Sequence, residues 1–381
     1  LADYNQAIQR NPNDATAFLN RGNTYQNMGR YEEALADFRQ AIQLNPNDAS
    51  AFNNRGNTYQ NMGRYEEALA DYNQAIQLNP NDASAFNNRG VTYRKMGRYE
   101  EALADYNQAI QLNPNYASAF LNRGLTYDNM GRYEEALADY NQAIQLNPND
   151  AKAFLNRGNT YQNMGRYEEA LADYNQAIQL NPNYASAFYN RGGTYQNMGR
   201  YEEALADYSQ AIQLNPNDAE AFYNRGNTYQ NMGRYEEALA DYNQAIQLNP
   251  NYADAYFNMG VLYYNRGEKE TALPCFEQAA QLGHQQAVQI VARIQQELGQ
   301  SPSTGSGSAG SGGESSNPMQ QAFGAFVEAN SVEKMVAAVQ DYPFMVGSEF
   351  ISTVEGALGQ VSPEEQAIIQ ARLEWLEGMG E

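Results

Sequence analysis

One asparagine recurs through most of the chain at a fixed interval, and its side chain could hydrogen-bond a ligand. The asparagine amide carries both a donor and an acceptor, so a column of such amides suits the evenly spaced peptide groups of an extended polypeptide, whatever its sequence. Asparagine is a mediocre helix former, and nothing in helix packing demands it on an open face. We therefore predict that this column binds peptide backbone. Its members are Asn20, Asn54, Asn88, Asn122, Asn156, Asn190, Asn224 and Asn258.

The residue before each of these asparagines becomes aromatic toward the end of the series. Tyr189, Tyr223 and Phe257 occupy that place, where earlier copies have Leu or Asn. Aromatic anchors are common at the centre of binding surfaces, so we predict that these rings also contact the ligand. Two structural alternatives remain open. The rings could only cover a neighbouring helix, and recent duplication alone could keep the asparagines identical.

Few other side chains have a type and spacing suited to chemistry. Cys275 and His284 are the single Cys and His, which excludes an internal disulfide framework and any Cys-based metal site, and leaves little for His catalysis. Glutamate pairs such as Glu66-Glu67 are neighbours at the start of a helix, where negative charge favours the helix dipole. They are not opposed across a cleft, as the carboxylates of a glycosidase are. We predict no catalytic residue, no metal ligand, no cofactor and no enzymatic activity.

These residues must be positioned by a repeated pair of helices. Proline recurs every 34 residues from Pro12 to Pro250, and the stretch 49–82 is copied nearly letter for letter by its neighbours. We number each unit from its first Ala, so the recurring asparagine is at position 6. A fixed period of this length indicates stacked helical hairpins. Positions 2, 6, 9 and 13 share the face of the first helix that is predicted to line the inner surface of the stack.

The repeat divides the chain into segments. Residues 1–14 are predicted to be the second half of a truncated unit, 15–252 seven regular units, and 253–299 a divergent eighth unit with a capping helix, in which Pro274 should kink or delay the second helix. Residues 300–317 form a Gly/Ser linker, predicted to be flexible. Residues 318–381 are predicted to form a small separate helical module that could self-associate. The fold class is all-α, an α-solenoid plus this module.

An arginine at position 7 of every regular unit needs a partner, because a charge beside a packed helix is costly to leave alone. Position 23 supplies an aspartate each time, and in the eighth unit both change together, to Met259 and Cys275. We predict a structural ion pair between the two positions. The alternative is an anion-binding role for the arginines.

The unit resembles a tetratricopeptide repeat over residues 1–286. The residues at that family's signature places in the second unit are Phe52, Gly56, Tyr59, Gly63, Tyr65, Ala68, Tyr72, Ala75 and Pro80. The resemblance implies a right-handed superhelix whose concave groove binds protein partners, in an array of the bacterial type. The column of asparagines is similar to the asparagine ladder in the repeats of O-linked N-acetylglucosamine transferase. The family's basic clamp for a terminal carboxylate is not matched, because Asn53 and Asn87 stand at its places.

Charge narrows the classes of partner. The chain has 45 acidic and 24 basic residues, a formal net charge of −21. Binding to nucleic-acid phosphates or to an anionic membrane surface needs clustered Lys and Arg, so we expect neither partner. No apolar run is long enough to span a bilayer. We expect a cytoplasmic location, although a segment upstream of Leu1 could carry a targeting signal.

Two functional hypotheses follow. The leading one is a protein-interaction scaffold that holds an extended polypeptide segment in the groove through the asparagine column. The alternative is a regulatory or substrate-recruiting fragment of a larger multidomain enzyme. It rests on a faint similarity of 318–381 to helical segments that flank repeat arrays in bacterial signalling proteins, some of which carry a caspase-like protease.

Overall fold

The structure is a computed structural model that describes residues 1–299, and over this range the chain forms eighteen α-helices and no strand. The described residues fall into two compact parts: the main body, residues 1–255, and the terminal body, residues 256–299. The all-α prediction is confirmed over the described range. The predicted linker 300–317 and the predicted module 318–381 lie outside the described residues.

Two helices alternate through the repeats. Helix α1 spans Ala2–Arg10. The first helices of the units are α2 (Ala15–Asn27), α4 (Ala49–Asn61), α6 (Ala83–Lys95), α8 (Ala117–Asn129), α10 (Ala151–Asn163), α12 (Ala185–Asn197), α14 (Ala219–Asn231) and α16 (Ala253–Asn265). The second helices are α3 (Tyr31–Leu44), α5 (Tyr65–Leu78), α7 (Tyr99–Leu112), α9 (Tyr133–Leu146), α11 (Tyr167–Leu180), α13 (Tyr201–Leu214), α15 (Tyr235–Leu248) and α17 (Lys269–Gln281). The last helix is α18 (Gln285–Gly299).

Local sequence sets the helix boundaries. The Asp48 carboxylate accepts a hydrogen bond of 2.9 Å from the Ser50 N–H and so caps the start of α4. Gly63 ends the first hairpin helix with a φ of 73°, a left-handed conformation that glycine adopts without steric cost. At the end of α5, Asn79 leaves the helical conformation immediately before Pro80, which disfavours helix in the residue that precedes it.

Small and large residues interlock inside each hairpin. The Tyr72 side chain is fully buried, and its ring lies against Gly56 of the facing helix. A Cβ atom at Gly56 would be only 2.8 Å from Cε1 of Tyr72, so this close approach requires glycine. Ala68 and Ala75 are fully buried on the same stripe of α5. The alternation of small and aromatic residues therefore determines how closely the two helices of a unit approach.

Stacking in the main body places the first helices on the inner side. Each second helix packs against the first helix of the next unit, as α3 does against α4 and α5 against α6. The first helices of successive units also contact one another, for example α6 and α8. Within residues 1–255, successive second helices contact one another less. The face of the first helices is therefore the concave side of an α-solenoid.

The terminal body has its own core. Phe276 and Ala279 of α17 are buried against Ala287 and Ile294 of α18. The expectation that Pro274 delays the second helix is wrong, because α17 begins at Lys269, the repeat position at which the other second helices begin. Pro274 is the sixth residue of α17 and cannot donate the hydrogen bond to the Glu270 carbonyl, yet the helix continues through it to Gln281.

Candidate functional site

The arginine at position 7 pairs with the aspartate at position 23 of its own unit, which confirms the predicted ion pair. Arg123 Nε donates to Oδ2 of Asp139 and Arg123 Nη2 to Oδ1, each at 2.7 Å, in the two-pronged geometry that favours arginine over lysine. Asp139 is only 4% exposed. The same pairing joins Arg21–Asp37, Arg55–Asp71, Arg89–Asp105, Arg157–Asp173, Arg191–Asp207 and Arg225–Asp241.

The guanidinium also links neighbouring units. Arg123 Nη1 donates at 2.5 Å to Oδ1 of Asn107 on the preceding second helix. The hydrogen bond to Asp139 raises the pKa of Arg123, and burial raises the pKa of Asp139 in spite of the nearby guanidinium. Three of the donors of Arg123 are thus engaged inside the array. The pair is structural, and this geometry does not favour an anion-binding role.

The recurring asparagines, here called the ladder, are all half-buried, and most of them bond to the preceding unit. Asn54 Nδ2 donates to Oδ1 of Asn23 at 2.9 Å, and Asn190 Nδ2 donates to Oδ1 of Asn159 at 2.7 Å. Both acceptors are at position 9. The expectation that packing does not demand asparagine at position 6 is therefore wrong, because the side chain connects units.

Where position 9 is not used, the ladder bonds to position 5 of the preceding unit instead. These bonds join Asn88 to Asn53 at 3.2 Å, Asn122 to Asn87 at 3.0 Å and Asn224 to the Tyr189 hydroxyl at 2.6 Å. Asn156 is different, since both positions in the preceding unit are leucine, Leu121 and Leu125. Within residues 1–299 the side chains of Asn156 and Asn20 make no hydrogen bond. Asn258 lies in the terminal body.

The aromatic residues at position 5 pack on the ring at position 24 of the same unit. The ring centroids are 5.9 Å apart for Tyr189 and Tyr208, 5.9 Å for Tyr223 and Tyr242, and 5.5 Å for Phe257 and Phe276. This packing matches the structural alternative. All three position-5 rings nevertheless remain half-buried, so part of each faces solvent.

Position 9 was predicted to line the inner surface, but its hydrogen bond to tyrosine was not predicted, and neither was the role of position 12. At position 9, Asn57 Oδ1 accepts a hydrogen bond of 2.7 Å from the buried Tyr72 hydroxyl. At position 12, Gln60 Nε2 donates at 2.7 Å to the Thr92 hydroxyl of the next unit. The role of position 9 as an acceptor could have been recognised from the sequence variation at positions 5 and 9, the two positions that supply acceptors to the ladder.

The side chains of Cys275 and His284 are packed against neighbouring residues. Burial raises the pKa of the Cys275 thiol to about 12, so it stays protonated. His284 stacks on Phe257 with centroids 3.9 Å apart, and its Nδ1 accepts from the Ala287 N–H at the start of α18. Within the described range, no three His, Cys, Asp or Glu side chains are placed to hold a metal ion. No helix of residues 1–299 is long and apolar enough to cross a membrane.

Family models match the repeats in succession. A model described as a TPR repeat matches residues 129–165 and 197–233. A second, described as a tetratricopeptide repeat, matches 15–48, 49–82, 83–116, 151–184 and 219–252, and a third with the same description matches 105–138, 173–206 and 241–273. No curated protein sequence matches the chain.

Two solved structures with TM-scores above 0.5 show the same fold. The Cut9–Hcn1 hetero-tetramer of APC/C is 16% identical and matches over 77% of this chain and 58% of its own, with a TM-score of 0.53. A tetratricopeptide repeat protein from Parabacteroides merdae is 22% identical over 65% of this chain and 98% of its own, with a TM-score of 0.52. YrrB, described as a TPR protein with an unusual peptide-binding site, is 28% identical over 49% of this chain and 97% of its own, with a TM-score of 0.39.

The family models together cover residues 15–273 without a gap. The helices that they match form hairpins, and these hairpins stack so that the first helices line one face. The chain therefore belongs to the tetratricopeptide repeat family and has the fold of a protein-interaction scaffold.

Proposed function

We propose that the chain holds an extended polypeptide along the concave face of its first helices, with the ladder bonding to the peptide backbone. The observation that carries this proposal is Asn156. In the unit that precedes it, both positions that could accept its hydrogen bond are leucine, Leu121 and Leu125. Asparagine is nevertheless present here, and it is half-buried on the inner face. A purely inter-unit role does not account for an asparagine there.

The other ladder residues keep hydrogen-bonding capacity for a ligand. An asparagine amide has two N–H donors and one carbonyl acceptor, and the bond to the preceding unit uses one donor. Within residues 1–299 the side-chain Oδ1 atoms of Asn122, Asn190 and Asn224 accept no hydrogen bond. The inter-unit bond fixes each amide before a ligand arrives, which lowers the entropy cost of binding.

Apolar groups beside the ladder would receive side chains of the peptide. Leu121 and Leu125 are half-buried on the first helix of the fourth unit. Tyr189 and Tyr223 in the main body add aromatic surface. Half-buried apolar residues next to polar donors are typical of peptide-binding surfaces.

The test starts from a phage-displayed library of random peptides selected on the full chain, because that probe does not require a known partner. The strongest binder is then titrated by calorimetry against wild type and against a variant in which Asn122, Asn156, Asn190 and Asn224 are all alanine. Each neutral hydrogen bond contributes about 0.5–1.5 kcal/mol. We therefore expect the quadruple variant to bind more weakly by roughly 2–6 kcal/mol.

The matched control replaces four exposed asparagines of the inter-unit turns with alanine. These are Asn115, Asn149, Asn183 and Asn217, which have no side-chain contact with the ladder. The control should bind like wild type. Because Asn122, Asn190 and Asn224 also link units, the titrations are run well below the unfolding temperature of each variant, measured by circular dichroism. Equal affinity for wild type and the ladder variant would show that the ladder is only structural.

A further inference from the structure

Three tyrosines and two carboxylates lie close together near the C-terminal end of the main body. Position 2 carries a hydroxyl or a lysine in the first six units, and then becomes Glu220 in the seventh unit and Asp254 at the start of the eighth. Position 5 becomes Tyr189 and Tyr223 in the sixth and seventh units. Tyr252 stands at position 34 of the seventh unit, where several other units have aspartate. We call these five residues the tyrosine–carboxylate patch.

The tyrosines of the patch are in contact and adjoin the ladder. The Tyr223 and Tyr252 rings lie with centroids 4.8 Å apart and tilted by 40°. The Tyr189 hydroxyl accepts from Nδ2 of Asn224, the ladder residue of the seventh unit, at 2.6 Å. The same hydroxyl lies 3.4 Å from Oε2 of Glu220. Each of the three rings is half-buried, so part of each ring stays accessible beside the proposed path of the peptide.

The electrostatic field at the patch is negative. Glu220 is exposed, and no Arg or Lys of residues 1–299 forms an ion pair with it. Burial together with the charges of Glu220 and Asp218 raises the pKa of Tyr189 to about 12. Burial, Tyr223, Glu220, Tyr189 and Asp254 all raise the pKa of Tyr252. Both tyrosines therefore have carboxylates among the causes of their raised pKa.

Two recurring sets of carboxylates in the array are paired with arginine. In each regular unit the arginine at position 16 binds the glutamate at position 19, as Arg132 binds Glu135 at 2.8 Å. The aspartate at position 23 is paired as well, for example Asp139 with Arg123. Glu220 is outside both sets of pairs, and it lies on the first-helix face rather than at the start of a second helix.

We propose that the tyrosine–carboxylate patch binds an arginine or lysine side chain of the polypeptide held in the groove. Aromatic faces attract cations through their quadrupole, and adjacent carboxylates strengthen that attraction. An acidic ligand side chain would be repelled by the carboxylates of the patch, and a purely apolar one would form no ion pair with Glu220. This inference rests on the proposed function, since the patch adjoins the ladder at Asn224.

The experiment uses the same library selection on the full chain. We expect the selected peptides to share a basic residue at one place in their consensus. That residue is then replaced by citrulline, which keeps the shape of arginine but carries no charge. The neutral peptide should bind wild type about tenfold more weakly, as loss of a partly desolvated cation–aromatic contact does.

Two variants test whether the patch causes this preference, and each copies a residue that other units already have at the same position. Glu220→Ser removes the charge, since serine occupies position 2 in four units, and Tyr223→Asn removes one ring, since asparagine occupies position 5 in two. In both variants the difference between the charged and neutral peptides should shrink to about threefold or less. Glu134→Gln and Glu168→Gln, at the starts of second helices, remove the same charge away from the patch and should leave the tenfold difference intact.

The outcomes separate this inference from the proposed function. Selected peptides that bind through the ladder but show no basic residue, or an equal affinity for the arginine and citrulline peptides, would overturn the patch proposal alone. A persistent tenfold difference in both Glu220→Ser and Tyr223→Asn would also overturn it, because the basic residue would then bind elsewhere. Failure to select any peptide that depends on the ladder would overturn both proposals.

Discussion

The second and fourth units, residues 49–82 and 117–150, are almost the same sequence and yet connect to their neighbours differently. They differ at three positions only, all on the first helix. The differences are Asn53 against Leu121, Asn57 against Leu125, and Gln60 against Asp128. The helices have equal lengths in both units, and the Arg–Asp pairs have equal lengths too, 2.7 Å in each. The hairpin is therefore insensitive to these three positions.

The hydrogen bonds made by these three positions differ between the two units. In the second unit Asn53 accepts from the next ladder residue, Asn57 accepts from the Tyr72 hydroxyl, and Gln60 donates to Thr92 and to the backbone oxygen of Asn88. The fourth unit keeps a single equivalent bond, from the Thr160 hydroxyl to Asp128 at 2.7 Å.

The buried Tyr140 hydroxyl of the fourth unit has no hydrogen-bond partner within the described residues. Leaving a buried hydroxyl without a partner costs about 1–3 kcal/mol. The comparison teaches that the core of a unit fixes the hairpin, while the inner face can exchange hydrogen bonds for apolar surface. We therefore expect that exchange to lower stability where it makes the groove more apolar.

The largest expected effect concerns the Arg–Asp ion pair, which the two units share. Arg55→Leu in the second unit and Arg123→Leu in the fourth each leave a buried aspartate without its partner, which costs about 3–5 kcal/mol. The losses should be similar in the two units. Urea unfolding followed by circular dichroism measures them, and Arg123→Leu combined with Asp139→Leu should recover much of the loss. Strictly additive losses in that double-mutant cycle would contradict the pairing.

Exchanging position 9 between the two units should have the next largest effect. Asn57→Leu removes the acceptor of the Tyr72 hydroxyl and should destabilise the chain by about 1–3 kcal/mol. The reciprocal change, Leu125→Asn, offers an acceptor to Tyr140 and to Asn156 and should stabilise by about 1 kcal/mol. Opposite shifts in the urea midpoint would support the comparison. A loss of stability in both variants would show that side-chain volume, rather than hydrogen bonding, determines the stability effect of position 9.

Removing the tyrosine hydroxyl at position 24 should change stability by a smaller amount, and the two units should respond differently. Tyr72→Phe loses a hydrogen bond and should cost about 1 kcal/mol, whereas Tyr140→Phe removes an unpaired buried group and should leave stability unchanged or slightly higher. The first unit shows that the position accepts phenylalanine, because Phe38 is fully buried there. Thermal unfolding of the two variants side by side measures the difference. Equal losses would mean that the Tyr140 hydroxyl has a partner after all.

The sequence predicts the fold and the ion pair because both follow from features within one unit. The 34-residue period gives the hairpin, and the joint change to Met259 and Cys275 indicates that position 7 contacts position 23. The bonds of the ladder could not be predicted in the same way. Each joins residues 31 or 35 apart in different units, for example Asn54 with Asn23 and Asn88 with Asn53. Their geometry depends on the rotation between stacked hairpins, which periodicity alone does not specify.

The smallest expected effect concerns the ladder residues that follow the two units. Asn88, after the second unit, donates to Asn53 at 3.2 Å, and its replacement by alanine loses that bond at a cost of about 0.5–1 kcal/mol. Asn156, after the fourth unit, has no such bond to lose, and alanine is the better helix former by about 0.5 kcal/mol, so Asn156→Ala should unfold at an equal or slightly higher temperature. Binding should respond differently, because both variants remove a ligand contact: each should lower affinity for a selected peptide that spans its unit. A variant of Asn156 that keeps full affinity would leave that asparagine with no role in either stability or binding, and its presence would then be a remnant of duplication.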